Sequence, residues 1–353
     1  MMRPFVPGLR PLAAVSSLLI ALATVPSGAQ APPAGFGPGA RVLLDAHNCY
    51  PDGGRWADRI DRALGAGVPV AIEQDLVWFR DPKTGRARSI VSHGEPFTGD
   101  EPSMADYFFE RIRPIVEKAL AAGQRDQWPL IVLNLDFKTD EPEHHAAIWE
   151  MLGKYESWLT TSERVADGTK PMPLDVKPVL VLTGMADAQE VSFHDRVPVG
   201  SRLRLFGAIR VNVERLVGRG AEAQEKLVDV SPADLIATRA TNYRRWVNFP
   251  WAVVERGGQR KAADWTAADR RRLDALVSRA HEQGLWIRFY TLNGHADADA
   301  QGWTASYNFG SPAAVRERWQ AAREAGVDFI ATDQYEELSA LLKAPASPRR
   351  TRP

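Results

Sequence analysis

The sequence predicts a single α/β domain, a TIM-type (β/α)8 barrel, on three observations. Eight short apolar runs of strand character recur along the chain, and helical patterns separate most of them. Neither a GxGxxG turn nor an obvious domain linker favours a doubly wound open sheet. The runs begin at Val42, Val70 and Leu130 and continue over 179–182, 203–211, 246–248, 286–290 and 329–331.

The first run stops at His47-Asn48 and the second at Glu73-Gln74-Asp75. Between them, 54–67 carries Trp56, Ile60, Ala63 and Leu64 at helical spacing, which makes a βαβ unit with neighbouring strand ends. Glu73 and Asp75 flank Gln74, so in a strand both carboxylates face one side. Runs 77–79 and 89–92 flank Asp81-Pro82-Lys83-Thr84-Gly85, a turn sequence, and predict a hairpin that presents His93 beside Glu73 and Asp75. A helix over 107–122 ends at Gly123, and the strand over 130–137 ends in Asp136-Phe137-Lys138. Further helices are expected over 150–159, 231–245, 267–283 and 312–325, while 162–178 and 211–231 have room for an extra hairpin or helix.

The termini read differently. Arg3 and Arg10, the uncharged apolar run 12–25 and the small residues Ser27-Gly28-Ala29 and Ala29-Gln30-Ala31 form a secretory signal peptide over 1–31, with an uncleaved anchor as the alternative. A Pro/Gly-rich linker follows over 32–40, then the barrel over 41–343 and a basic, Pro-rich, disordered tail over 344–353. The expected location is therefore periplasmic or secreted. Lys plus Arg and Asp plus Glu are 44 each, which gives no reason to expect a nucleic-acid partner. Cys49 is the only cysteine, so disulfides do not hold the chain together. Beside His47 it can be read as a nucleophile, but a small side chain packed at a strand end is the plainer reading. No later segment is apolar enough for a stable membrane span, and no amphipathic basic helix argues for docking.

Catalytic groups in such barrels sit at the carboxyl ends of strands. Glu73, Asp75 and Asp136, with the Asn48 amide oxygen, offer a site for a divalent cation, Ca2+ or Mg2+, in a chain without a thiolate cluster or HExxH motif for zinc. His47 and His93 are the candidate acid and base. Lys138 shares a side with Asp136 and can neutralise a phosphate oxygen. Trp78, Tyr290 and Asn293 are candidate pocket residues. Trp246, Trp251 and Trp303 fall near strand ends or in loops, where packing is the plainer role. His144-His145, just after Pro142 near a helix start, reads as a solvated pair, and His194-Asp195 and His295 as surface pairings.

This set, His47-Asn48, Glu73-x-Asp75, His93 and Asp136-x-Lys138, resembles the phospholipase-C-like phosphodiesterase superfamily, which includes glycerophosphodiester phosphodiesterases, phosphatidylinositol-specific phospholipases C and sphingomyelinase-D-like enzymes. Ala280-His281-Glu282-Gln283-Gly284, then Ile287-Arg288-Phe289-Tyr290-Thr291-Leu292-Asn293, then Ala325-Gly326-Val327-Asp328-Phe329-Ile330-Ala331-Thr332-Asp333, is similar to the closing two β-units of glycerophosphodiesterases. The resemblance implies a TIM barrel, a divalent metal and phosphodiester cleavage. It makes His47 and His93 the acid/base pair and Glu73, Asp75 and Asp136 metal ligands. Asn48 takes the place of the ligand after the first histidine in calcium-dependent phospholipases C, and Lys138 that of a phosphate-contacting lysine. Glycerophosphodiesterases usually carry His-Arg-Gly where this chain has His47-Asn48-Cys49, and His-Asp where it has His93-Gly94. The expected function is an exported, metal-dependent phosphodiesterase acting on a glycerophosphodiester or phospholipid-type substrate. An exported glycoside hydrolase, with paired carboxylates and no metal, and a non-catalytic barrel-fold binding protein are the alternatives.

Overall fold

The structure, a computed structural model, describes Met1 and residues 36–52, 55–219, 223–256, 264–296 and 308–345. The expected signal peptide, Trp303 and the tail beyond residue 345 lie outside the described residues. In chain order the strands are β1 (Leu43–Ala46), β2 (Val70–Arg80), β3 (Ala87–Val91), β4 (Ile131–Phe137), β5 (Thr161–Glu163), β6 (Leu174–Asp175), β7 (Val179–Thr183), β8 (Arg202–Leu203), β9 (Phe206–Ala208), β10 (Arg244–Pro250), β11 (Trp286–Tyr290) and β12 (Phe329–Thr332).

Strands β1, β2, β4, β7, β9, β10, β11 and β12 pair in parallel, and the ring closes because β1 bonds to both β12 and β2. These are the eight runs legible in the sequence, so the (β/α)8 barrel stands. Strand β2 outruns the barrel: beyond its pairing with β4 it continues against antiparallel β3, from Leu76↔Val91 to Arg80↔Ala87. The hairpin therefore rises from the barrel's carboxyl end. A small antiparallel sheet, β6-β5-β8, occupies part of the irregular middle third.

Alternation along the strands divides the core. Inside the barrel, Ala71, Val132, Leu180, Leu182, Phe206, Ala208, Trp246, Trp286 and Phe329 fill the amino-terminal end. Two residues further along their strands, Asp45, Glu73, Asn134, Asn248 and Arg288 replace that apolar layer with a polar one. The outward faces form a larger core with the helices, each buried aliphatic or aromatic side chain contributing about 1.5–3 kcal/mol.

Helix ends follow their caps. Thr266 and Asp269 form a capping box ahead of Ala267–Glu282, and Ser311 caps Pro312–Ala325, whose first residue is proline. Gly123 ends Glu110–Ala122 in the left-handed region, at φ 64°.

Two expected helices are corrected. The one over 150–159 is Pro142–Lys154, followed by a 3₁₀ turn at Glu156–Trp158. Over 231–245 only Pro232–Leu235 is helical. There the Asn242 side chain accepts from Val165 N–H and donates to the Glu163 carbonyl, a local polar anchor that competes with helix formation.

The histidine expectations are also corrected. His144 and His145 are 0% and 1% exposed, because the first turn of Pro142–Lys154 rests on Phe137, whose ring meets theirs edge-on at 5.0 and 5.1 Å. His194 and His295 are buried as well, although His194 does meet Asp195 at 2.9 Å. Trp246 and Trp251 are core residues whose indoles donate to the Thr183 carbonyl and Glu255. No helix among the described residues is long and apolar enough to cross a membrane.

Candidate metal and acid/base site

Strand β1 stops at Ala46 and the chain turns at once. Asn48 adopts φ 52°, a left-handed conformation that asparagine tolerates better than most residues. Buried Arg59 donates to the carbonyls of His47 and Asn48 at 3.4 and 2.9 Å, and the Tyr335 hydroxyl donates to the His47 carbonyl at 2.7 Å. Fixed in this way, the turn aims the Asn48 backbone N–H at Glu73 Oε2, 3.0 Å away.

The acidic residues come from two neighbouring strands. Asp75 and Asp136 are register partners in β2 and β4, and Glu73 lies one inward position below Asp75. One oxygen from each of the three carboxylates lies within 4.8 Å of the others. Lys138, just past β4, places Nζ 2.7 Å from Asp136 Oδ2 and 3.0 Å from Asp75 Oδ2. Glu73 and Asp75 are buried, whereas Asp136 opens toward solvent.

Charge in this cluster is unevenly held. Burial alone would raise the Glu73 carboxyl, but Arg288, His47 and the Asn48 N–H outweigh it and bring it down to about 2. Burial and the adjacent Asp136 push the Asp75 carboxyl well above the usual carboxylate range. Although burial opposes its charge, Lys138 is held above the ordinary lysine value by Asp75 and Asp136. Below them Arg288 spans the barrel, with Nε 2.5 Å from Asp45 Oδ2, one Nη donating to Asn248 at 3.0 Å and the other 3.3 Å from Glu73 Oε1.

The donor set suits a hard dication. All three groups are carboxylates, and oxygen ligands on opposite sides of Ca2+ lie about 5 Å apart at bond lengths of about 2.3–2.6 Å. The observed spread of no more than 4.8 Å fits that sphere. The Lys138 ammonium between Asp75 and Asp136 shows that the cluster already calls for positive charge, and its flexible stem allows it to give way.

His47 flanks the acids, with Nε2 3.5 Å from Glu73 Oε2 and Nδ1 3.1 Å from Asp333 Oδ1. Asp333 follows β12 and is fully enclosed. Burial opposes its ionisation, yet His47, Arg59 and Asn48 hold its carboxyl below the usual range. The Asn48 amide nitrogen lies 2.9 Å from His47 Nδ1 and 3.1 Å from Asp333 Oδ1, and the ionised carboxylate decides this shared node by drawing the ring proton to Nδ1. Asn293 completes the support: its amide donates to Asp333 Oδ2 at 3.0 Å while its oxygen accepts from Asp333 N–H at 2.7 Å.

The structure thus gathers Glu73, Asp75, Asp136, Lys138 and His47, with the Tyr290 ring stacked 6.2 Å from His47. Other expected residues stand differently. The Asn48 side-chain oxygen accepts from the Tyr50 hydroxyl at 2.7 Å and its nitrogen faces Asp333, so its oxygen is not among those of the acids. His93 lies at the exposed rim, its ring 6.4 Å from Tyr50; partial burial and then Lys138 lower its pKa. Trp78 stacks on His144 at 5.6 Å, and Asn293 is sealed beneath Asp333 instead of lining a pocket. Cys49 is fully buried and burial pushes its thiol up, which leaves packing as its role.

Asp333, Arg288, Asp45 and Arg59 belong to the site without a role legible in the sequence. For Asp333 a signal existed, since it ends the last strand as Asp136 ends an earlier one.

No protein-family model matches the chain, and a search of curated proteins finds no match. Among solved structures, a calcium-dependent phosphoinositol-specific phospholipase C from a Gram-negative bacterium, Pseudomonas sp., is similar at 11% identity, covering 84% of this chain and 89% of that one, with TM-score 0.45. Plasmodium falciparum HPPK-DHPS is similar at 10% identity, covering 86% of this chain and 48% of that one, with TM-score 0.39. At these distances the chemistry has to be read from the site's own atoms.

Proposed function

We propose that the chain is an exported, metal-dependent phosphodiesterase acting on a glycerophosphodiester or phospholipid-type substrate, with Glu73, Asp75 and Asp136 holding Ca2+ or Mg2+. The observation that carries this reading is the convergence of three carboxylate oxygens within 4.8 Å, beside an imidazole nitrogen 3.5 Å from Glu73. When bound, such a cation supplies positive charge against a non-bridging phosphoryl oxygen.

The side chains divide the remaining work. Asp333 keeps the proton on His47 Nδ1, which leaves Nε2 to accept a proton from the attacking water or substrate hydroxyl. His93, at the rim, serves the leaving alkoxide. Lys138, released from Asp75 and Asp136 by the cation, would supply a second positive charge to a phosphoryl oxygen. Export is supported by Arg3, Arg10 and the apolar run 12–25.

Hydrolysis of an aryl phosphodiester is measured with and without chelator, and again after Ca2+ or Mg2+ is restored. Activity should vanish and return. Turnover that survives chelation, or turnover confined to glycosides, would overturn the proposal.

A further inference from the structure

A cavity lies outside the barrel, away from the acids. It has a volume of about 490 Å³ and runs between one face of helix Pro142–Lys154 and the segment 192–204. Phe137 and Phe193, with ring centroids 5.7 Å apart, pack between it and the barrel. Ala146, Trp149, Val197 and Pro198 give it apolar walls.

Its polar lining is unbalanced. Arg196, Arg202 and Arg204 face it against one carboxylate, Glu156. Arg204 is committed, with Nε 2.6 Å from Glu156 Oε2 and its guanidinium 4.4 Å above the Trp149 ring. Arg202 meets Asp175 at 3.2 Å. The exposed Arg196 guanidinium makes no hydrogen bond or ion pair with any described residue, and neither does the Ser201 hydroxyl. His145 adds no charge: burial lowers its pKa, with one nitrogen 3.1 Å from Asp140 and the other 3.0 Å from Ser192.

We propose that this groove binds a small anion carrying a flat apolar group, such as an aromatic sulfonate, carboxylate or phosphate monoester, with the acid on Arg196 and Ser201 and the ring against Ala146, Val197 and Pro198. The volume is that of a small-molecule site, and a guanidinium without a carboxylate partner suits an oxyanion better than a neutral ligand. The groove shares no residue with the metal and acid/base site, so the two proposals stand or fall separately.

The test titrates the intact protein with 8-anilino-1-naphthalenesulfonate and with neutral N-phenyl-1-naphthylamine, following dye fluorescence. One anion should bind per chain, about tenfold or more tighter than the neutral dye, and lose affinity as salt rises. Arg196→Glu, at an exposed position, should weaken the anion about tenfold or more, and Ala146→Trp should block both dyes, with melting temperature and aryl phosphodiester hydrolysis unchanged in each variant. Equal binding of the two dyes, or anion affinity indifferent to Arg196→Glu, would overturn the proposal; so would dye binding that survives Ala146→Trp.

Discussion

Two buried imidazoles lie on opposite sides of the β2–β4 wall, and their surroundings give them opposite chemistry. His47, inside the barrel mouth, has a carboxylate at each ring nitrogen, Asp333 at 3.1 Å and Glu73 at 3.5 Å. His144, outside, has only neutral partners: Nδ1 lies 3.0 Å from the Thr139 hydroxyl and 3.1 Å from its carbonyl, and Nε2 2.9 Å from the Ser89 hydroxyl. A hydroxyl can donate or accept, so a neutral ring finds a partner at each nitrogen, and neither partner carries a charge. At His144 an added proton must displace a hydrogen bond in an apolar setting, with no charged partner to receive it. Burial alone therefore does not tell the two rings apart. The charges of the partners do.

The contrast breaks most directly at Asp333. Asp333→Asn removes the charge behind His47 while keeping the shape, and permits the wrong ring tautomer. We expect kcat for phosphodiester hydrolysis to fall by roughly 10²–10⁴-fold with circular dichroism unchanged. Less than a fivefold loss would remove His47 from the proposed role.

Charge balance on the same side is tested at Arg288, the buried cation shared by Asp45 and Glu73. Arg288→Met leaves two enclosed carboxylates without their counter-charge and should cost about 3–5 kcal/mol in urea unfolding at neutral pH. Adding Asp45→Asn should recover part of that loss, because the two changes act on one contact. Additive losses would show that the pair is not coupled.

Much of this was legible in the sequence. The eight barrel strands followed from apolar runs and turn residues, and Glu73, Asp75, Asp136 and His47 from the rule that barrel strands deliver side chains at their carboxyl ends. What escaped was decided by packing between distant segments. His144 and His145 looked solvated because two histidines after a proline carry no apolar signal, yet Phe137 and the hairpin close over them. Trp78 is expected by the pocket, but its ring stacks on His144, a partner far away in sequence. Arg288 sits in an apolar run, and nothing local reveals that its inward register puts it beside Asp45. The Asn48 oxygen accepts from the Tyr50 hydroxyl, a contact that no local pattern announces.

The smallest expected effect belongs to the other imidazole. Burial lowers the His144 pKa to about 4, far below that of an unfolded histidine. As pH falls through about 6.5 the unfolded chain takes up a proton that the folded one refuses until about 4, so stability is full above that window, declines across it and levels off below. The His144 share of this decline is about 2–3 kcal/mol. It is measured as the difference in urea unfolding free energy between the wild-type chain and His144→Gln at pH 7.5 and pH 4.5, which cancels the matching contribution of buried His145. His144→Gln should cost about 1 kcal/mol at pH 7.5 through the lost Ser89 bond and then lose less than the wild type on acidification. Parallel acid profiles would mean that His144 takes up its proton as readily in the folded chain as in the unfolded one, and that its neutral partners do not set its chemistry.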